Sequence, residues 1–325
     1  MKKFLILILL SVLMVMLFTN CEQEKKEQVS EDMFQQIAML PGDAEAIAYL
    51  NIDKIEQSTF FDMFMDSVAD NPFHDEEYMD FVKQTGFNFK KDLHEIYLTS
   101  GIKNHDDPAA EAFIMVKGTF DPEKLVNFLK ENDEKDKIES VEYEGYTFYT
   151  VEDAKKSFCF YDNSTLIAGS QEMMKEWIKN TSGTESRVTP EILARINALK
   201  FKNSAWFTVK ADQITKNLKN DKFKKIKGIE DLKAMSVSMD FSDQFQLDGH
   251  SEFKNEETAK LFKEAVKGLI ATGKLSVSDD RDIIDILNAI NVDSDDNNVS
   301  IDLKLSQEEI QKLMDKRNFL PRQII

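Results

Sequence analysis

The feature that most constrains the fold is a series of short apolar runs joined by turns that are too short for a crossover. Residues 138–143 and 146–151 are separated only by Glu144-Gly145, and a second pair of short runs flanks Asp162-Asn163. Such connections join antiparallel strands, because parallel strands need a crossover of a dozen or more residues. The turns therefore predict an antiparallel meander.

Alternation and helical spacing extend this prediction to the rest of the chain. Met235, Val237 and Met239 alternate with polar residues, which is typical of a strand with one face toward a core and one toward water. Residues 256–270 instead carry apolar residues at helical spacing, namely Phe262, Ala265, Val266, Leu269 and Ile270. The sequence predicts an α+β fold of largely antiparallel sheet packed with amphipathic helices.

The same order of elements occurs in two parts of the chain. In the first part, a strand at residues 46–52 precedes a helix that begins after Asp121 and is expected to be buried through Leu125, Phe128 and Leu129. In the second part, a strand at residues 205–209 precedes the helix at residues 256–270. The last helix of each part follows the same three residues, at Ser170-Gln171-Glu172 and Ser306-Gln307-Glu308. This recurrence predicts two tandem, possibly repeated modules.

The expected segments are a signal peptide at residues 1–20, a flexible tether at residues 21–36, a first α+β module at residues 37–183 and a second at residues 184–325. The boundary between the modules falls in a polar segment rich in Ser, Thr and Gly, which is typical of linkers.

The first residues have the pattern of an export signal. Lys2 and Lys3 precede an apolar run of 15 residues from Phe4 to Phe18. A basic start followed by a short apolar run is typical of a secretory signal peptide, and the run is shorter than the roughly 20 residues that span a bilayer. We therefore expect residues 1–20 to be removed on export.

The end of this signal, Leu17-Phe18-Thr19-Asn20-Cys21, resembles that of bacterial lipoproteins, in which a short apolar stretch precedes a cysteine that carries lipid. The resemblance implies lipid attachment at Cys21 and anchoring to a bacterial membrane, at its periplasmic face or at the cell surface. The polar residues 22–28 agree with a tether between lipid and folded body. An uncleaved anchor and ordinary secretion are the alternatives.

Charge excludes one class of partner. The chain has a net charge of −18, which becomes −20 when residues 1–20 and their two lysines are removed. A strongly acidic body repels nucleic acid, so we expect no nucleic-acid partner. The lysines between Lys216 and Lys227 are interpreted as a solvated helical face.

Motifs for catalysis and metal binding are incomplete. His94-Glu95 begins a zinc-protease motif, but Leu98 stands where the second histidine is needed. Ser100 and Lys103 have the spacing of a serine–lysine pair, yet they follow a strand, whereas that chemistry uses a helical turn.

An acidic stretch partly matches a calcium loop through Asp293, Asp295 and Asn297, but Asn298 replaces the turn glycine, and a simple turn is favoured. Cys159 lies among aromatic residues and is interpreted as a core residue. The sequence therefore nominates no catalytic, cofactor-binding or metal-binding residue and no cofactor.

We expect a membrane-anchored lipoprotein of the cell envelope with a non-enzymatic binding or structural role, whose partner is an unidentified envelope protein or a glycan. The 24 phenylalanines and 14 methionines leave open a carrier or sensor of an apolar ligand or lipid, held in a Phe/Met-lined cavity. A hydrolase with an atypical site is a second alternative, because catalytic residues can meet in space without a sequence pattern.

Overall fold

The computed structural model describes residues 27–41, 44–67, 75–101, 112–132, 138–151, 156–181, 188–211 and 228–317. The predicted signal peptide, Cys21, the basic segment from Lys216 to Lys227 and the linker residues 182–187 lie outside these ranges. Lys103 also lies outside them.

The strands are β1 (Ala46–Asn51), β2 (Leu93–Ser100), β3 (Ala112–Gly118), β4 (Ile138–Tyr143), β5 (Tyr146–Val151), β6 (Lys156–Asp162), β7 (Thr165–Gly169), β8 (Ala205–Lys210), β9 (Leu232–Asp240), β10 (Phe245–Phe253), β11 (Asn291–Asp295) and β12 (Asn298–Leu305). The helices are α1 (Glu31–Met39), α2 (Ile52–Glu56), α3 (Thr59–Ser67), α4 (Glu76–Thr85), α5 (Phe89–Asp92), α6 (Pro122–Asn132), α7 (Gln171–Thr181), α8 (Pro190–Ala198), α9 (Glu256–Ser276), α10 (Arg281–Ala289) and α11 (Gln307–Arg317).

All of these strands belong to one 12-stranded sheet in the order β11-β12-β10-β9-β8-β1-β2-β3-β7-β6-β5-β4. Each pair of neighbouring strands in this sheet is antiparallel, so the predicted α+β class with a largely antiparallel sheet is confirmed. At the turn between β4 and β5, Glu144 has φ 50° and Gly145 has φ 86°. Positive φ at both positions is what a two-residue hairpin requires.

The pairing of β1 with β8 joins two halves of the sheet. Outward from this joint, the first half runs β1-β2-β3-β7 and the second half runs β8-β9-β10-β12. A helix follows the third strand in each half (α6 and α9), and another follows β7 and β12 (α7 and α11). The strand order therefore repeats in the two halves, as the sequence predicts, although hydrogen bonding continues across the joint. The exact position of the module boundary stays a prediction.

Local sequence explains where several helices begin. The Thr189 hydroxyl accepts a hydrogen bond from the backbone of Ile192, and Pro190 occupies the first turn of α8, where its missing N–H costs nothing. Ser306 and Glu309 form a capping box at the start of α11, since each side chain bonds to the backbone N–H of the other. The helix predicted at Ser306-Gln307-Glu308 is confirmed.

The folded body begins earlier than the sequence suggests. Residues 31–36, which were expected to belong to the tether, form the first turns of α1. Ser30 caps this helix, and Met33 and Ile37 are buried in the main core. Burial of these side chains explains why this part of the chain is ordered as a helix.

The main core lies on the face of the sheet that carries Tyr49, which is called the first face. Directly paired residues form a row across the first half on this face: Cys159, Ile167, Met115, Tyr97, Tyr49 and, on β8, Trp206. Helices α1, α7 and α8 cover this row. Helix α8 belongs by sequence to the second module, yet its apolar side packs into the core of the first half.

A second core lies on the opposite face, called the second face, in the second half. Phe253, Val299 and Val292 pack there against Phe262 and Val266 of α9. Leu129 of α6 is 38% exposed, so its expected burial is wrong, and Leu269 of α9, although at helical spacing, is 56% exposed. Apolar spacing predicts the helices, but the covered stripe is narrower than the apolar stripe.

The two faces of β9 also differ from expectation. Ser236 and Ser238, on the face expected to be wet, are buried, whereas Met235 and Val237 are half-buried. The Ser236 hydroxyl donates to Thr208 at 2.9 Å, and the Ser238 hydroxyl accepts from the backbone of Phe201 at 3.3 Å. These bonds allow small hydroxyls to be buried beneath the segment that follows α8. Of the helices described, none is both long and apolar enough to cross a membrane.

Candidate functional site

An apolar groove of about 390 Å³ opens at one end of the sheet. The segment that follows β1 borders one side of the groove, and α11 borders another. The groove lies where β9 and β12 end. Its lining residues are Ile55, Ser58, Phe60, Phe61, Phe241, Phe245, Leu305, Ile310, Leu313 and Met314. Ser58 is the only polar residue among the described lining residues, so the groove offers an apolar surface with almost no hydrogen-bonding groups.

The groove depends on an unusual placement of α11. The equivalent helix of the first half, α7, packs on β6 and β7, whereas α11 packs against α10 and α3. Ile310, Leu313 and Met314 of α11 therefore line the groove together with residues of the first half and with residues at the end of the sheet, and they do not pack on a sheet face as α7 does. These side chains are half-buried, which leaves part of their apolar surface open.

The start of the described chain is fastened near the same end of the sheet. The buried Lys202, 2% exposed, donates from its ammonium group to the backbone oxygen of Glu27 at 2.6 Å. The Glu27 carboxylate in turn accepts from the backbone N–H of Asn203 at 2.9 Å. We call Glu27, Lys202 and Asn203 the tether clamp. It fixes the position of Glu27, the first residue that the structure describes.

A short series of contacts connects the tether clamp with the apolar groove. Ser204 follows the clamp and donates from its hydroxyl to Asp240 at 3.0 Å, and Phe241 of the groove follows Asp240. The backbone N–H of Asn51 also bonds to the Ser204 oxygen at 2.7 Å, and Asn51 caps the helix that carries Ile55. The clamp and the groove therefore share one end of the sheet.

A polar trough lies at the other end, on the first face of the second half. It consists of two adjoining depressions of about 400 and 660 Å³ that share Arg195, Ala198, Glu252 and Asn298. The other residues that line it are Glu191, Ala194, Lys210, Lys233, Ala234, Ser236, His250, Asp295 and Ser300. Strand β10 begins at the groove with Phe245 and reaches the trough with Glu252, which separates the two sites by about 23 Å along the strand.

Between the two sites lies a polar cluster on β10 and β12. His250 contacts Asp248 at 2.9 Å between Nε2 and Oδ2, and Asp302 is paired with Asp248 in the sheet. Burial opposes ionisation of Asp248, but the hydrogen bond from His250 and the nearby charges of His250 and Lys200 outweigh it and hold its pKa below the ordinary value. The pKa of Asp302 is raised, first by burial and then by the charge of Asp248.

This cluster resembles part of a hydrolytic site. Ser236 and Ser300 are the direct cross-strand neighbours of His250. The Ser236 hydroxyl is bonded to Thr208 instead, and within the described residues no hydrogen bond joins either serine to the imidazole. The arrangement therefore lacks the nucleophile–base contact of serine catalysis.

The residues that the sequence offers for catalysis or metal binding lie on different elements of the fold. His94 lies in β2 and contacts Asp53 at 3.0 Å, Ser100 ends the same strand, and Asp293 and Asp295 lie in a hairpin strand. In the ranges that the structure covers, no group of three or more His, Cys, Asp or Glu could hold a metal ion. Cys159 is fully buried, and burial raises the pKa of its thiol to about 12.

Sequence reasoning missed the residues that define the clamp and the trough. Glu27, Lys202 and Arg195 are single charged residues without a motif. Asp248, His250 and Glu252 lie at alternate positions of β10. This alternation could have predicted a polar strand face, because polar residues at every second position indicate the side turned away from an apolar core.

No protein-family model matches the chain, and no curated protein matches it. The fold is similar to that of the protein TP0453, whose crystal form III superposes with a TM-score of 0.52 at 11% sequence identity, over 86% of this chain and 97% of that chain. Crystal form I of TP0453 superposes with a TM-score of 0.48 at 12% identity, over 90% of this chain and 99% of that chain. At this identity the form III match shows a shared fold alone.

Proposed function

We propose that this chain is a lipid-anchored protein of the bacterial cell envelope that binds an aliphatic chain of a membrane amphiphile in the apolar groove. Its role is non-enzymatic, as a binding protein or carrier. The observation that carries the proposal is the shared location of the groove and the tether clamp at one end of the sheet.

The lining of the groove suits this class of ligand. Its volume of about 390 Å³ lies within the range of about 300–1,000 Å³ that is usual for small-molecule sites. Transfer of one methylene group from water to such a surface contributes about 0.8 kcal/mol. The groove is open along one side. It therefore suits an amphiphile whose aliphatic chain lies in the groove while its polar head stays in water, and it suits a fully enclosed ligand less well.

The tether clamp supports the membrane as the source of the ligand. Six residue steps separate Cys21 from Glu27, and an extended chain covers at most about 3.5 Å per step. If Cys21 carries lipid, Glu27 lies within about 21 Å of the anchored residue. The end of the sheet that carries the groove is then held beside the bilayer.

Binding can be tested with cis-parinaric acid, a fluorescent fatty acid, titrated against the full mature chain. We expect Leu313→Trp to weaken binding at least about tenfold, because the indole ring would occupy the space that the aliphatic chain fills. The matched control is Leu275→Trp, which makes the same change at a side chain that is 79% exposed on α9. Equal affinity of the two variants would contradict the groove as the binding site.

The anchor is tested separately by growing cells with an alkyne-labelled palmitate. We expect the wild-type chain to be labelled and Cys21→Ser to remain unlabelled. Lack of label on the wild-type chain would refute the lipid anchor, while the fatty-acid titration would still report on the groove.

A further inference from the structure

The polar trough contains an arginine whose hydrogen-bonding groups are incompletely paired. Arg195 projects from α8, and its side chain is only 19% exposed. Its Nη1 is buried and has no hydrogen-bond partner within the described part of the chain. A buried guanidinium nitrogen without an acceptor is costly, and such groups in native proteins usually indicate a missing water, ion or ligand.

The ion pair between Arg195 and Glu252 does not satisfy the hydrogen-bonding groups of the guanidinium. Arg195 Nη2 lies 3.7 Å from the Glu252 carboxylate, which is beyond hydrogen-bonding distance. The other oxygen of Glu252 accepts a hydrogen bond from Lys233 at 3.2 Å. Glu252 is therefore shared between two cations, and it neutralises only one of them.

In the depression that contains Lys210, three cations (Arg195, Lys210 and Lys233) face two carboxylates (Glu191 and Glu252), which leaves one positive charge in excess. Lys210 lines the same depression as Arg195 and Lys233, and His250 lines the adjoining one. The acidic residues of the trough besides Glu252 are Glu191, which is exposed at the start of α8, and Asp295, which lies in the adjoining depression. At physiological ionic strength, charges more than about 8 Å apart are largely screened, so the net charge of −18 does not govern this site.

We propose that the trough binds an oxyanion, a phosphate or carboxylate group of a small polar molecule, with Arg195 as its main ligand. The planar guanidinium can donate two parallel hydrogen bonds to such a group. Lys233 adds charge in the same depression, and Ser300 lines the adjoining one. The site lies at the opposite end of β10 from the groove, so it does not depend on the proposed lipid binding.

The test is isothermal titration calorimetry of the full mature chain with sodium phosphate and with sodium acetate, each compared with sodium chloride at equal ionic strength. We expect heat of binding from one of the two oxyanions, and the stronger one identifies the class. Arg195→Gln should weaken that binding at least about tenfold. Arg281→Gln, at an exposed arginine that begins α10, is the matched control and should bind like the wild type.

A second measurement separates a binding role from a structural one. Without oxyanion, Arg195→Gln should melt at the same temperature as the wild type or higher, because the substitution removes a buried donor that lacks an acceptor. A clearly lower melting temperature would show that Arg195 acts as a structural ion pair, and it would overturn the proposal. The proposal would also be overturned if Arg195→Gln bound the oxyanion with the affinity of the wild type, or if the wild type bound neither oxyanion. If Arg195→Gln does not fold, Arg195→Lys replaces it, and retention of full affinity there would also refute a guanidinium site.

Discussion

Helices α7 and α11 begin with the same three residues and occupy equivalent places in the strand order, yet they are used differently. Met174, Trp177 and Ile178 of α7 are buried over the first face of the first half. Ile310, Leu313 and Met314 of α11 border an open groove beyond the end of the sheet. The comparison shows that helices at equivalent places in the strand order can complete a core in one half and border an open groove in the other.

The two halves also differ on the first face. The row of paired residues that is apolar from Cys159 to Trp206 continues into the second half as Ser238, Asp248 and Asp302. With no helix of the α7 kind packed over these positions in the described chain, this part of the face is polar. The second half therefore combines a polar row on the first face with an open groove at the end of the sheet.

The largest expected effect tests the difference between α7 and α11 with one residue type. Met174→Ala should lower the free energy of unfolding by about 2–5 kcal/mol, because Met174 is fully buried and its removal leaves a cavity. Met314→Ala, in the half-buried groove, should lower it by about 1 kcal/mol. Urea denaturation of both variants measures the difference, and similar losses would mean that α11 belongs to a core as solid as that of α7.

An intermediate effect concerns Asp248 in the polar continuation of the row. Its pKa in the folded protein lies below the ordinary value, so its ionised form stabilises the fold above the pKa of the unfolded chain, and this contribution is lost as pH falls through the folded pKa. Asp248→Asn should therefore cost about 1 kcal/mol at pH 7 and nothing at a pH below the folded pKa.

Thermal melts at both pH values check this prediction, with Asp243→Asn as the control because Asp243 is exposed beyond the end of β9. A loss of equal size at both pH values would show that shape, and not charge, explains the role of Asp248.

The smallest effect is expected at Asp302, and its sign is opposite. Its pKa is raised by burial and by the charge of Asp248, so its contribution to stability is present below the unfolded pKa and is lost as pH rises through the folded pKa. At pH 7 Asp302→Asn should increase the free energy of unfolding by a few tenths of a kcal/mol. The gain should shrink in an Asp248→Asn background, and an unchanged gain in that double-mutant cycle would contradict repulsion between the two carboxylates.

Much of the fold could be predicted from the sequence, because turns, caps and periodicity are local signals. Glu144-Gly145 predicted a hairpin, and the Ser306–Glu309 pair predicted the start of α11. The pairing of β1 with β8 and the packing of α8 into the first half could not be predicted, because they depend on contacts between residues far apart in the chain. The groove escaped detection for the same reason, since its phenylalanines look like core residues in each local pattern.

The outermost strands of the described sheet, β4 and β11, affect how copies of the protein behave together. An outer strand presents unpaired backbone groups that can pair with another chain. Glu139 and Glu142 on β4, and Asp293 and Asp295 on β11, are exposed and place carboxylates along both edges. If two copies approached edge to edge, like charges would meet before backbone bonds could form. A high local concentration of the protein would therefore favour separate molecules over a continuous sheet.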